Sequence, residues 1–458
     1  MRPRLLGLPR VVLLDSSSAN DHCGRYSYLS ADPFLTVRSR GRRVELAGPA
    51  GWTVLEADPF DLLRVLLSRY PSAQSPELPP FLGGAAGYFG YDLGRLIEAL
   101  PTTNPAEEAL PELDVGFYDW VLAADHLTGE NWLVATGLPA GTGAAARARL
   151  AEIEARLNAI AKTSKEPESS KETVRASDLK PLRFRSNVSR ADYLEAVRRA
   201  KEYIAAGDIY QVNLSHRLEG EWRDSAWALY ERLREASPVS YGAYLDLGEG
   251  KVLSASPELF LRLDGGRVQT RPIKGTRPRG RTPEEDRMLG AGLLSNEKDR
   301  AENLMIVDLL RNDLGKVCRV GSVHVPELFG IEGYSTVWQM VSTVRGELRS
   351  GLGAVELLRA CFPGGSITGC PKIRAMEIIE ELEPVRRGVY CGSIGYISFG
   401  GAMVTSIVIR TLVLQQGKIH LQVGGAIVSD SDPEAEYEET LTKSRAALHA
   451  LGTELEEW

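Results

Sequence analysis

The chain has 458 residues, 25% charged and 43% hydrophobic, with a formal net charge of −7. That length suits two to four domains or one large elaborated one, in an ordinary soluble globular protein. The acidic surplus speaks against a nucleic-acid scaffold, and an anionic ligand would have to be held by local cations.

The opening M-R-P-R-L-L-G-L-P-R combines basic residues and leucines as a signal peptide does, but Pro9 and Arg10 cut the apolar run short. Ordinary protein leading into a strand at 11–15 is expected. Apolar spacing after Asp58-Pro59 predicts a helix over 60–70. The glycine-rich F-L-G-G-A-A-G-Y-F-G-Y-D at 81–92 lacks the strand, G-x-G-x-x-G and helix order of a dinucleotide loop, so close packing of backbones is expected. Runs at 117–125 and 131–136 predict a hairpin about Leu127-Thr128-Gly129. An alanine-rich helix follows at 144–160. The polar run A-K-T-S-K-E-P-E-S-S-K-E-T then reads as a linker, dividing the chain into 1–162, a linker at 163–186 and 187–452.

Ser189 and Asp192 form a capping signal for a helix ending at Gly207. Strands are expected at 209–219, 241–247, 251–255, 260–263, 268–270, 324–328, 336–347, 391–399 and 403–414, mixed with amphipathic helices but not in strict alternation. That pattern argues for an α+β fold. No apolar run approaches the roughly 20 residues of a membrane helix, so no membrane association is expected.

The stretch T-R-P-I-K-G-T-R-P-R-G at 270–280 has too many prolines and glycines for a helix or a central strand, and a fixed loop leaving a strand is expected. Such a loop can aim Lys274 into a pocket, where desolvation lowers a lysine's pKa and makes it nucleophilic. On composition alone a solvated lysine in a basic loop is the commoner case.

Asp299 and Glu302 share a helical face, and so do Glu436 and Glu439, with Lys443 a turn beyond. Were the two faces to meet, they would form an oxygen-only site suited to Mg²⁺, though any one such pair is usually solvated surface. The loop F-P-G-G-S-I-T-G-C-P-K at 362–372 offers a helix start to an anion, and V-G-G-A-I-V at 423–428 reads as a turn presenting N–H groups to a carboxylate. Arg410, within an apolar alternation, faces either water or a ligand pocket. Hydrolase signatures such as G-x-S-x-G and H-E-x-x-H are missing. Cys23, Cys318, Cys361, Cys370 and Cys391 form no C-x-x-C pair, which fits neither a zinc site nor a disulfide framework and suits a reducing, cytoplasmic compartment.

Six motifs lie in order between about 189 and 448: D-I-Y-Q-V-N-L-S-H-R, A-S-P-E-L-F, T-R-P-I-K-G-T-R-P-R, K-D-R-A-E-N-L-M-I-V-D-L-L-R-N-D, F-P-G-G-S-I-T-G-C-P-K-I-R-A-M-E and E-A-E-Y-E-E-T. Together they closely resemble the chorismate-utilising enzymes. L-L-D-S-S-S, G-R-Y-S-Y and the glycine-rich run of the first section resemble them more loosely. The resemblance implies that family's large fold, β-sheets packed as a sandwich with surrounding helices. It implies Mg²⁺ held mainly by Glu302 and Glu439, with Asp299 and Glu436 behind them through water. Substrate oxygens would be fixed by Gly275, Thr276, Tyr390, Arg410, Lys443 and the amides of Gly424, Gly425 and Ala426.

Members that hydrate chorismate carry a lysine where this chain has Gln211, and anthranilate-forming members carry alanine where it has Lys274. The resemblance therefore implies C4 amination through a covalent Lys274 adduct, with Glu258 protonating the departing hydroxyl, and anthranilate formation as the alternative. The product would be 4-amino-4-deoxychorismate, for 4-aminobenzoate and folate synthesis. Ammonia would come from a separate class I glutamine amidotransferase subunit. A tryptophan-type pocket is implied in the first section, walled by Ser16, Cys23, Gly24, Arg25, Tyr26, Ser240, Tyr241 and Gly242.

Overall fold

In the computed structural model, which describes residues 7–17, 23–71, 77–105, 110–163, 184–334 and 337–453, the β-rich runs of both sections pair into two antiparallel sheets. Among the described residues the first sheet has eleven strands, in the order Arg185–Ser186, Gln211–Glu221, Lys418–Ile427, Thr411–Gln415, Gly250–Ser256, Tyr241–Asp246, Val12–Asp15, Tyr26–Ser30, Trp120–Asp125, Asn131–Ala135, with Gly369–Cys370 also on Gln211–Glu221. The second has twelve: Ile273–Pro278, Val337–Glu347, Arg267–Arg271, Leu259–Asp264, Met403–Ile407, Ser393–Ser398, Gly84–Phe89, Leu113–Tyr118, Leu35–Arg40, Arg43–Gly48, Gly51–Glu56, with His324–Gly333 also on Val337–Glu347.

Because strand side chains alternate between faces, each sheet has two apolar faces to cover. Val12, Tyr28, Val121, Leu245 and Val252 of the first sheet meet Ala86, Tyr88, Ile394 and Tyr396 of the second in one buried cluster, so the sheets form a sandwich. The outer face of the first is covered by the helices Ala226–Ala236 and Pro433–Ala450, through Leu229, Leu233, Ala447 and Leu448. Phe60, Leu63, Ile306, Leu310, Leu357 and Leu358, from the helices Pro59–Ser68, Glu297–Gly315 and Ala354–Cys361, cover the second. The α+β sandwich expected from the sequence is the fold observed.

Strands of the first section belong to both sheets. They join strands of the later section where Val12–Asp15 pairs with Tyr241–Asp246 and where Gly84–Phe89 pairs with Ser393–Ser398. Most of the expected linker, residues 164–183, lies outside the described residues. No helix among the described residues is long and apolar enough to cross a membrane, and the five cysteines form no disulfide.

Local signals held at the helix starts. Asp58 accepts from the Phe60 and Asp61 amides, and Ser189 from Asp192. The glycine-rich run at 81–92 contains an inner strand, and a Cβ on Gly87 (φ 153°) would stand 2.1 Å from the Asp114 carbonyl oxygen. Gly87→Ala is therefore expected to cost roughly 3 kcal/mol or more, read as a fall in the midpoint of urea unfolding.

Four expectations are corrected. The 270–280 stretch is not a loop leaving a strand: Ile273–Pro278 pairs with Val337–Glu347, with a register shift between Ile273 and Thr276. Its prolines flank or end the strand, and Gly275 at φ 82° takes up the irregularity. The 423–428 run is not a turn but the end of strand Lys418–Ile427, paired with Gln211–Glu221. The run 403–414 is two strands, Met403–Ile407 and Thr411–Gln415, in different sheets. Likewise Phe117 and Tyr118 belong to a strand of the second sheet, and the chain crosses at Asp119 to the hairpin Trp120–Asp125 and Asn131–Ala135. Hydrophobic alternation runs through such crossings unbroken, so the sequence pattern does not mark them.

Candidate active site

Two sheet crossings lie side by side and build the floor of the site. Glu258 lies between Gly250–Ser256 and Leu259–Asp264, and Arg410 between Met403–Ile407 and Thr411–Gln415. The Ile407 amide donates to the Glu258 carbonyl at 3.1 Å, and the Ala255 amide to the Arg410 carbonyl at 3.1 Å. The Ser256 hydroxyl closes the knot on the Ile407 carbonyl at 2.5 Å. Arg410 is held at φ 52° and nearby Cys391 at φ 61°. Left-handed backbone at non-glycine residues is unusual and tends to gather at functional sites.

Lys274 reaches this floor from the second sheet and donates from Nζ to the Ser366 carbonyl at 3.2 Å. Burial lowers its pKa and Lys443 lowers it further, against the carboxylates of Glu302, Glu258 and Glu439. Glu258 is buried, and that burial raises its pKa, opposed by the Ser366 hydroxyl, Lys274, the Ile273 amide and Arg410. Burial also lowers the pKa of Arg410, with Glu258 opposing. The pocket thus drives both Lys274 and Glu258 toward neutrality.

The carboxylate faces converge on the same space. Helix Glu297–Gly315 carries Asp299 and Glu302, and helix Pro433–Ala450 carries Glu436, Glu439 and Lys443. Burial raises the pKa of Glu302, and the charges of Asp299 and Glu436 add to it. Glu436 is raised by burial and by Glu439, although Ser431 donates to it at 2.6 Å. For Glu439, whose side chain is half exposed, partial desolvation works against ionisation, but Lys443 at 2.8 Å, with Lys274 and Lys298, holds the pKa low. Arg277 pairs with Asp299 at 2.7 Å and Lys298 with Glu436 at 3.9 Å.

No set of three or more histidine, cysteine or carboxylate side chains among the described residues is grouped closely enough to hold a metal ion as it stands. The donor chemistry nonetheless fits a hard cation: the donors are all carboxylates, and their mutual repulsion is only partly relieved by lysine and arginine. Gly275 lies against Asp299, since a Cβ there would be 3.1 Å from the Asp299 carboxyl carbon, and a Cβ on Gly425 would be 3.2 Å from Glu436 Oε2. Lys443 donates to the Gly424 carbonyl at 2.9 Å. The Tyr390 hydroxyl lies beside Gly424, where a Cβ would approach it to 2.9 Å. Ala426 pairs with Asn213. Thr276 is exposed and paired in register with Gln339. Gln211 is fully buried with neither amide atom hydrogen-bonded.

A separate cavity of about 750 Å³ lies between the sheets, lined in part by Gly24, Arg25, Tyr26, Ser240, Tyr241 and Gly242. Ser16 and Cys23 are buried nearby but do not line it. Sequence reasoning missed Ser366, Arg387 and Lys298. Ser366 lay in a loop read as an anion site, and the run R-R-G-V-Y that carries Arg387 up to Tyr390 drew no reading of its own.

Against known proteins, a model of chorismate binding enzymes matches residues 17–449. Aminodeoxychorismate synthase component 1 of Salmonella typhimurium is 44% identical over 449 residues, which is 97% of this chain and 93% of that protein. Anthranilate synthase component 1 of Thermus thermophilus is 48% identical over 429 residues, 93% of this chain and 87% of that one. Among solved structures, anthranilate synthase component I from Streptococcus pneumoniae superposes with a TM-score of 0.81 at 31% identity, covering 94% of this chain and 93% of its own. With a family match spanning residues 17–449 and relatives 44% and 48% identical over most of their length, this chain belongs to the chorismate binding enzymes.

Proposed function

We propose that the chain is the synthase subunit that converts chorismate and ammonia to 4-amino-4-deoxychorismate, on the route to 4-aminobenzoate and folate in the cytoplasm. The observation that carries this is Lys274: a half-buried lysine whose amine, held on the Ser366 carbonyl, has a lowered pKa, beside a buried carboxyl whose pKa is raised. The neutral amine attacks C2 of chorismate, both ring double bonds shift toward C4, and the C4 hydroxyl leaves as water with the proton of Glu258. Ammonia then adds at C4 and the bond to Lys274 breaks, returning the amine and releasing a proton. Chorismate plus ammonia gives the amino product plus water, with the enolpyruvyl group kept.

Arg410, Lys443 and the strand end around Gly424 to Ala426 orient the substrate's anionic oxygens. Asp299, Glu302, Glu436 and Glu439 would hold Mg²⁺, which when bound neutralises the ring carboxylate. Arg277 and Lys298 would have to give up Asp299 and Glu436 for it. Chelation by EDTA is expected to lower turnover by about a hundredfold or more, with recovery on adding Mg²⁺. A glutamine amidotransferase subunit would supply the ammonia.

The second reading, anthranilate formation, is favoured by the 48% identity to the Thermus thermophilus protein. A product assay separates the two: chain, chorismate, Mg²⁺ and ammonium, analysed by chromatography with mass detection. A product that gains nitrogen and keeps the enolpyruvyl group supports the proposal. Anthranilate with pyruvate overturns it.

A further inference from the structure

Beneath the candidate site lies an ion pair that the reaction does not use. Arg387 is 1% exposed and Glu383 4%. The guanidinium donates from Nε to Glu383 Oε2 at 2.9 Å and from Nη2 to Glu383 Oε1 at 2.6 Å. Nη1 also donates to the Ile367 carbonyl at 2.8 Å, and Nη2 to the Asn213 carbonyl at 2.6 Å. Its central carbon stands 4.8 Å from the Tyr91 ring centre and 5.8 Å from that of Tyr390. Glu383 in turn accepts from the Ser215 amide at 2.9 Å and hydroxyl at 2.8 Å.

One side chain therefore touches three parts of the site. The turn Gly365–Ile367 presents the Ser366 carbonyl to the Lys274 amine. Asn213 is the strand partner of Ala426. Tyr390 lies beside Gly424. A buried ion pair is a poor source of stability, because desolvating both charges offsets most of their attraction, so stability alone does not account for this one. Only a planar fork of N–H donors serves these acceptors at once; a lysine ammonium cannot.

We propose that Arg387, anchored by Glu383, is the positioning residue for the Lys274 amine: it fixes the Gly365–Ile367 turn, and with it the Ser366 carbonyl that aims the amine, while bracing the Tyr390 ring. It touches no substrate. The inference rests on the reading of Lys274 as the nucleophile.

Arg387→Lys keeps the charge and loses the fork. The variant is expected to keep its far-UV circular dichroism and, within about threefold, its KM for chorismate, while kcat falls by roughly tenfold to a hundredfold. Reductive methylation followed by mass spectrometry is expected to label Lys274 several times faster than in the parent, with the other lysines unchanged. Methylguanidinium is expected to restore part of the kcat lost in Arg387→Ala, and Glu383→Gln to show both changes in weaker form should the first variants fold poorly. Unchanged Lys274 labelling, or faster labelling of lysines throughout the chain, would overturn the proposal. If the parent makes no C4-aminated product, the functional reading fails separately, and the labelling still decides the role of Arg387.

Discussion

Lys274→Ala is expected to lower C4 amination of chorismate by about a thousandfold or more, with the KM for chorismate little changed. The size follows from what is lost. Without the amine no bond forms at C2, the C4 hydroxyl is no longer displaced by a neighbouring nucleophile, and ammonia has no adduct to attack. The site would keep its carboxylates, Arg410 and Lys443, so chorismate still binds. Ammonia can then reach C2 directly, and a trace of anthranilate is expected where the parent makes none. Intact-protein mass spectrometry after rapid quenching supplies the second measurement: a mass increase on the parent that localises to Lys274 and is missing from the variant. Undiminished C4 amination in Lys274→Ala would remove the covalent role.

Glu258→Gln keeps the shape of the buried side chain and removes its proton, and a loss of about 10² to 10⁴ in kcat is expected. Its pH profile is the sharper test. The active form holds Glu258 protonated and Lys274 neutral, one proton between them, the same count as the inactive carboxylate–ammonium pair. Acid adds the second proton to Lys274, and alkali removes the last one from Glu258, so the parent profile is a bell. Burial raises Glu258 and lowers Lys274, which enlarges the active share of the one-proton state and so the height of the plateau. In Glu258→Gln only the lysine titrates, and activity is expected to rise with pH to a plateau with no alkaline fall. A bell that persists in the variant would assign that limb to another group.

The candidate site residues were more legible in the sequence than the path of the chain that brings them together. Lys274 and the two i, i+3 carboxylate pairs were singled out by their spacing and setting and became candidates through the motif resemblance, and Arg410 by its charge within an apolar alternation. Their convergence was not written in any local pattern. Glu258 and Arg410 meet because two strand runs change sheets at adjacent points, and a period of two reads the same before and after such a change. The edge strand Ile273–Pro278 was hidden by prolines that an interior strand would not tolerate and an edge strand does. Arg387 was invisible for a different reason. Its four hydrogen bonds are to groups 4, 20 and 174 residues away, and nothing local distinguishes it from Arg386 beside it.

The way the two sections share their sheets bears on how such a chain can be divided. A cut between residues 163 and 184 would leave each fragment with two open strand edges, one at the Val12–Asp15 and Tyr241–Asp246 seam and one at the Gly84–Phe89 and Ser393–Ser398 seam. Each edge is the template that the other fragment satisfies. The fragments are thus halves of one cooperative unit, suited to reassembling as a split enzyme and unsuited to life as separate modules. The candidate site residues lie in the later fragment, and two of the floor strands, Gly250–Ser256 and Met403–Ile407, pair with the seam strands Tyr241–Asp246 and Ser393–Ser398, so gain of activity on mixing would report the pairing itself.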